Sequence, residues 1–390
     1  MVLALCTAFA LSQAYRTVGA IMASQLQAEF KLSAQALGVF SGAFHFAFGA
    51  MQLFMGIGID LHGVRRTVLT AFPLAIAGAV VSALSTNYLV LVGGQVLIGV
   101  GCAPAFLVCT VFIARHFPAA RFASVSGLVL GIGGLGMLLT GTPLAWLVQE
   151  RSWRMGFVVL AVASALAWLS ILWWVREPLP QGTQPRESVL GALRQFGSLF
   201  AMPHTLGIMV LGAVTYAAFI SLRGLWLGPL LIERHGYSLV QSGNVALIVS
   251  VISLFGPPLF GRLDRDGPVR RRRIVACSLA YAGLFLAIAF FTSAWIDVGG
   301  TILIGLLSGF IVWQYADVRV AYPAAITGRA MAVFTMAMFL GVALMQWVTG
   351  VAASVAIAHG VEPYSAVLAT IAVLLVTATI AFARLPAPGA

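Results

Sequence analysis

Residues 56–66 read GIGIDLHGVRR, and residues 261–273 read GRLDRDGPVRRRR. Each stretch passes from an acid to a glycine to paired arginines: Asp60, Gly63, Arg65 and Arg66 in the first, Asp264, Gly267, Arg270 and Arg271 in the second. Each follows an apolar run of about 20 residues, the length that crosses a bilayer as a helix. Another mark repeats: Phe117-Pro118 with Arg121 beyond it, and Tyr322-Pro323 with Arg329 beyond it. The chain therefore reads as two copies of one membrane-spanning plan, the duplication expected of a carrier that moves one half against the other.

Composition agrees. Of 390 residues, 61% are hydrophobic and 8% are charged, against roughly a quarter charged in an ordinary soluble domain. Those values exclude a soluble fold, a disordered chain and a disulfide-dense secreted scaffold. Twelve segments are long and apolar enough to span: 2–24, 35–58, 67–86, 89–114, 123–148, 154–175, 205–232, 240–261, 274–294, 299–320, 330–357 and 364–383. A β-barrel would instead show short alternating strands, so the expected class is all-α, polytopic, with twelve transmembrane helices in two six-helix bundles. The first run has no basic stretch before it and reads as a retained helix, not a cleaved leader.

The net charge of +11 reflects topology, not nucleic-acid binding. With both termini inside, only Lys31, Arg151, Arg154 and Arg234 fall in outer loops, Arg16 and Arg223 fall within segments, and every other basic residue lies in inner loops or the tail. That bias places both ends in the cytoplasm, and the chain is expected in a bacterial cytoplasmic membrane as a monomer. The polar stretch 176–204, with Pro178, Pro180, Pro185 and Pro203, divides a 1–175 bundle from a 205–390 bundle. Within it Val189, Leu190, Leu193, Phe196 and Phe200 have the spacing of an amphipathic surface helix or of an ordinary connecting helix. Cys6, Cys102, Cys109 and Cys277 all sit in apolar runs and read as small buried hydrophobes.

GIGIDLHGVRR resembles the Gly-x-x-x-Asp-x-x-Gly-x-Arg-Arg signature of the major facilitator superfamily, and the weaker copy at 261–273, the six-plus-six plan and the long central loop fit it as well. The resemblance implies two bundles around a central cavity that opens alternately to each side. It also implies a gating role for Asp60, Gly63, Arg65, Arg66, Asp264 and Arg270. Physically, Asp60 can meet arginines or a helix N-terminus of the other bundle, and Arg65 and Arg66 can hold the loop at the anionic inner leaflet. The same charges also serve as simple topology determinants.

Two charges lie where the bilayer is least polar. Arg16 sits inside segment 1 and Arg223 inside segment 7, corresponding positions of the two halves. A buried Arg costs roughly 2.5–3.5 kcal/mol on insertion scales and cannot escape by losing its proton. The acids fall in loops or at helix ends, with Asp317 alone arguably inside a span. One reading makes the substrate the counter-ion: two guanidinium forks suit a carboxylate or phosphate ester. The other makes each Arg a structural lock, capped by carbonyls or by an acid such as Asp317 or Glu233. In position the pair resembles the basic residues of organic-anion and organophosphate carriers of the superfamily.

His45 shares one helical face with Ser41 and Gln52. It can hydrogen-bond a substrate, carry a coupling proton, or simply pack. Gln13, Tyr216 and Gln346 are further candidates for the substrate site, within a polar set that includes Ser12, Tyr15, Thr215, Asn244, Trp313 and Gln314, with Phe219 at the same helical spacing as Thr215 and Arg223. Pro143 is placed to bend segment 5, where Gly141-Thr142-Pro143-Leu144-Ala145 departs from the Gly-Pro-x-x-Gly-Gly motif of proton-driven drug exporters. No enzyme constellation, cofactor motif or metal spacing is present. The expected function is a secondary carrier for a small organic anion, driven by H+ symport or by anion exchange; the alternatives are an exporter of amphipathic drugs or metabolites and a sensor or membrane-embedded enzyme that has kept the fold.

Overall fold

The computed structural model describes residues 1–117, 119–176, 199, 202, 204–264, 268–322 and 324–386. The expected surface helix within 176–204 and the side chain of Asp60 lie outside the described residues. Among those residues the chain is almost wholly helical, with no strand.

Among the described residues eleven helices are long and apolar enough to cross a membrane. The twelfth, α1, is in two pieces, Val2–Tyr15 and Val18–Phe30. In order follow α2 (Ala34–Ile59) and α3 (His62–Leu84). Next come α4 (Tyr88–Cys102 and Ala105–His116), α5 (Ala119–Leu139 and Thr142–Glu150) and α6 (Trp153–Trp174). The second half holds α7 (Thr205–Ser221, Leu222–Trp226 and Leu227–His235), α8 (Leu239–Arg262) and α9 (Pro268–Phe290). It ends with α10 (Ala294–Leu307, Ser308–Phe310 and Ile311–Ala321), α11 (Ala324–Ala358) and α12 (Pro363–Arg384).

The junctions explain where helices stop. α2 passes into α3 with one non-helical residue, Gly63, at φ 81° and ψ 169°, a region essentially closed to residues with a Cβ. The expected loop over 59–66 is thus almost entirely helical. α9 also begins earlier than expected: Pro268 occupies its first turn, where a missing N–H costs nothing. Arg270 to Arg273 therefore lie on the helix. At the opposite ends Ser33, Asn87, Ser152 and Ser238 accept the N–H three residues on, the usual satisfaction of a helix N-terminus.

We call the end carrying the α2–α3 and α8–α9 junctions the signature end, and the other the far end. Each bundle is stapled at its far end by an ion pair between its first and last helices. Glu29 of α1 accepts both Nη atoms of Arg154 of α6, at 2.8 and 2.5 Å, plus Trp153 Nε1 at 2.7 Å. In the second bundle the polarity is reversed. Arg234 of α7 donates to both oxygens of Glu362, just before α12, at 3.1 and 2.9 Å. Arg234 also reaches Asp297 Oδ2 at 2.9 Å, and His235 Nε2 lies 2.7 Å from the same oxygen. Asp297 lies in the first turn of α10, a helix end as expected, yet it is fully buried. Burial opposes the charge on Glu362, but Arg234 and the Ser365 N–H outweigh it and hold the carboxyl below the usual range.

The two bundles also meet toward the far end, through small residues. A Cβ at Gly19 of α1 would stand 2.9 Å from the Gly224 carbonyl of α7, and one at Gly228 would run into the Ala20 carbonyl. Gly38 and Gly42 of α2 press likewise on the Gln346 and Ala343 carbonyls of α11. Backbones approach this closely only where Cβ atoms are missing. Polar clasps reinforce the seam: Gln35 N to Ser354 Oγ at 3.0 Å, and Thr142 Oγ1 to Asn244 Oδ1 at 2.5 Å.

Candidate functional site

The interrupted helices converge at mid-depth. α1 breaks at Arg16-Thr17, where Thr17 takes φ −121° and ψ 3°. α5 breaks at Thr140-Gly141, ahead of the Pro143 turn. The two breaks touch, with Thr17 Oγ1 2.6 Å from Thr140 Oγ1. α7 widens into a single π turn over Leu222–Trp226, where Leu227 N bonds Leu222 O; such turns often mark functional positions.

Arg16 lies at the α1 break and is 7% exposed. Its guanidinium carbon stands 4.7 Å from the ring centroids of both Phe48 on α2 and Phe339 on α11. Two aromatic faces stabilise a cation in place of water. Its polar contacts are long: Nη1 to Tyr216 Oη on α7 and Nη2 to Ser12 Oγ, each 3.4 Å. The buried Nε has no partner among the described residues. No described acid forms an ion pair with Arg16, and neither Asp317 nor Glu233 is among its partners.

Other buried polar atoms near Arg16 are also unpartnered. His45 is 1% exposed, with Arg16 within electrostatic reach and the Gln346 side chain beside its ring. Its Nδ1 is 3.1 Å from the Ser41 carbonyl. A carbonyl only accepts, so Nδ1 carries the proton and a neutral ring offers Nε2 as acceptor. Nε2 has no partner among the described residues, nor has either amide atom of the fully buried Gln346. Buried polar groups are ordinarily bonded, so this concentration beside one cation marks the place. Gln13, three residues before Arg16, is half-buried, as is Tyr216.

Arg223 takes a different environment. It is fully buried on the π turn of α7. Nε donates to Ala246 O at 3.1 Å and Ser250 Oγ at 3.0 Å on α8, while Nη2 donates to Met137 O at 3.2 Å on α5. The α5 break explains that last acceptor. Gly141 N turns to Leu138 O instead of continuing the α-helical pattern to Met137 O, leaving Met137 O to Thr140 Oγ1 and Arg223. Nη1 has no partner among the described residues. Arg16 faces α2 and α11 while Arg223 faces α5 and α8, and no direct contact joins them.

The gating candidates lie at the signature end. Arg65 Nη2 donates to the Leu172 carbonyl at 3.0 Å, and Arg66 is exposed. Asp264 and Arg270 form a two-pronged pair within one bundle, at 2.8 and 2.9 Å. The sequence reading did not single out Phe48 and Phe339. A signal existed: Phe48 continues the Ser41, His45, Gln52 face, and Phe339 precedes Gln346 by two helical turns.

Among the described residues, twelve antiparallel membrane helices, two-fold repetition and a buried mid-depth site together define a membrane carrier of small molecules. The family model for the Major Facilitator Superfamily matches residues 4–346, and the chain belongs to that family, whose members are transporters and not enzymes. The hexuronate transporter of Bacillus subtilis (strain 168) is 23% identical over 323 residues, covering 76% of this chain and 75% of that one. A probable sulfoacetate transporter of Cupriavidus necator is 24% identical over 318 residues, covering 75% and 74%. Among solved structures, a D-xylose-proton symporter superposes with a TM-score of 0.77 at 18% identity, covering 100% of this chain and 98% of that one. That likeness shows the fold alone. The protein is a multi-pass secondary transporter of the superfamily.

Proposed function

We propose that this transporter moves a small hydroxylated organic anion by alternating access, with Arg16 as the group that neutralises the cargo. The observation that carries the reading is the Arg16 cluster: a buried cation with no acid partner, set between two phenyl rings and beside an unpartnered His45 Nε2 and Gln346 amide. A carboxylate or sulfonate meets the fork in two parallel hydrogen bonds. Tyr216 and the Gln346 amide offer donors and acceptors to hydroxyl groups, and the neutral His45 ring accepts one. Gln13 adds a polar group on the face of α1 leading to the site. Hexuronate, the named cargo of one relative, has this chemistry: one carboxylate and several hydroxyls.

In this reading Arg223 is the equivalent cation of the second half. Its carbonyl partners hold it in the far-end-closed conformation, and its Nη1 remains the atom able to turn to an anion. Asp60, Gly63, Arg65, Arg66, Asp264 and Arg270 control the signature-end junctions without touching the cargo. The bundles are 1–175 and 205–390, joined by the 176–204 linker. The arginine bias puts the signature end in the cytoplasm of a bacterium, so closure at the far end is closure to the outside. Coupling is by H+ symport or anion exchange, and the working unit is one chain.

The test is flux. Proteoliposomes holding the purified protein accumulate labelled hexuronate, whereas those holding Arg16→Ala, inserted in equal amount, do not. Equal uptake by the two would remove Arg16 from the site.

A further inference from the structure

Away from the central cluster, a groove of about 350 Å³ opens at the signature end between α9 and α12, lined by Arg271, Arg272, Val275, Phe382, Ala383 and Leu385. We infer that this groove binds the phosphate headgroup of an anionic phospholipid. The inference rests on the membrane-spanning fold and on the inward placement of the signature end proposed above, and is independent of substrate and coupling.

Two guanidinium groups share the groove, and none of its lining residues is acidic. Arg271 is held in place: its guanidinium carbon lies 4.2 Å from the Phe382 ring centroid, and Nη2 donates to the Phe382 carbonyl at 3.4 Å. Its Nη1 is buried without a partner among the described residues. Arg272, next on the helix, is exposed. Two acids act on this region: Asp264 pairs with Arg270, and Asp317 lies within electrostatic reach of Arg270, Arg271 and His204. Against the three permanent cations Arg270, Arg271 and Arg272 they leave the neighbourhood positive. Such a pair matches a phosphodiester, which takes charge-assisted hydrogen bonds from forked donors.

Depth and the other walls select a lipid over a free anion. Arg271 and Arg272 stand about one turn inside the start of α9 at Pro268, and Phe382 to Leu385 form the end of α12. Both termini lie where a headgroup lies, at the edge of the apolar layer. Val275, Phe382 and Leu385 give the groove apolar walls, which a glycerol backbone and first methylenes cover and inorganic phosphate does not. The same helices expose Val269, Leu279, Val373 and Ile380, apolar side chains suited to acyl chains. Basic pockets between helices on the cytoplasmic side are a recurrent place for anionic headgroups.

The test is native mass spectrometry of the full chain released from detergent with phosphatidylglycerol or with phosphatidylcholine of the same acyl chains. Discrete phosphatidylglycerol adducts are expected, and no equivalent phosphatidylcholine adducts. Arg272→Ala, a change at an exposed position, lowers phosphatidylglycerol retention about five-fold, the loss expected for one basic residue at an anionic surface. Arg262→Ala, exposed at the same end but outside the groove, leaves retention unchanged. Equal retention of both lipids, or an equal loss in Arg262→Ala, would overturn the site in favour of general surface charge. Displacement of phosphatidylglycerol by excess inorganic phosphate would overturn the lipid in favour of a free anion.

Discussion

Arg16 and Arg223 stand in two-fold equivalent places: each leaves the first helix of its bundle at an interruption, crosses to the next helix of the same bundle, and reaches a fifth helix of the other. Arg16 meets Phe48 of α2 and Phe339 of α11, and Arg223 meets Ala246 and Ser250 of α8 and Met137 of α5. The equivalence is geometric and the chemistry is not. Arg16 faces two rings and two distant hydroxyls, whereas Arg223 holds two carbonyls and a hydroxyl. Each keeps one buried nitrogen without a partner among the described residues, Nε of Arg16 and Nη1 of Arg223, but only Arg223 ties its helix to backbone carbonyls of two others.

That asymmetry separates their variants. Arg223→Met removes a buried charge along with its need for partners, a change the fold tolerates, while breaking the bond from α7 to α5. Thermal melting in detergent should therefore change little and uptake should be lost. Arg223→Ala adds a cavity and should melt earlier by about 2–5 kcal/mol of stability. Full uptake by Arg223→Met would show that the bond to Met137 plays no part in transport.

Closure of the far end depends on missing β-carbons. Gly228→Leu sets a side chain against the Ala20 carbonyl, where no flexible group can give way. Uptake should fall to background. A cysteine placed at Ser354, in a background without the four native cysteines, should react faster with a membrane-impermeant maleimide added at the far face. Unchanged labelling and uptake would mean that the helices separate freely at this crossing.

Gly63→Ala should lower stability by roughly 1–3 kcal/mol, the cost of holding a non-glycine residue at φ 81°. Melting midpoints of the purified proteins measure it. An unchanged midpoint would show that the α2–α3 junction relaxes to another backbone path.

The far-end staple of the second bundle carries a pH signature. Glu362 is held below the ordinary carboxylate range, so its contribution is complete at neutral pH, above the unfolded value. It is lost as pH falls through the lowered folded value. Melting midpoints of the wild type should thus fall between about pH 5 and pH 3, carboxylate titration included, and Glu362→Gln should show a smaller fall from a lower start. Identical slopes would remove Glu362 from the acid response.

Much of the architecture was legible because hydrophobic length and arginine spacing are coarse signals that a bilayer enforces. Helix ends were less so: the 59–66 and 268–273 stretches are helical because Gly63 supplies the turn and Pro268 supplies a helix start, local effects that hydropathy averages away. The α5 break was foreshadowed by Pro143. The α1 break and the α7 π turn were not, since neither Thr17 nor Leu222–Trp226 holds a proline. The Arg154–Glu29 and Arg234–Glu362 staples escaped notice because their polarity is inverted between halves, so matching charges by sign hides the correspondence. Of the deep arginines, sequence located both and left their partners open, because carbonyls freed by a helix break are not written in side-chain identities.

The most direct test of the central claim is equilibrium binding of hexuronate to the purified protein by calorimetry, for the wild type and for Arg16→Gln. Binding should be saturable and one-to-one, and weaken roughly 10- to 150-fold in the variant, the worth of a hydrogen bond to a charged group. Equal affinity in the two proteins would contradict the claim, and would place the cargo's negative charge somewhere other than at Arg16.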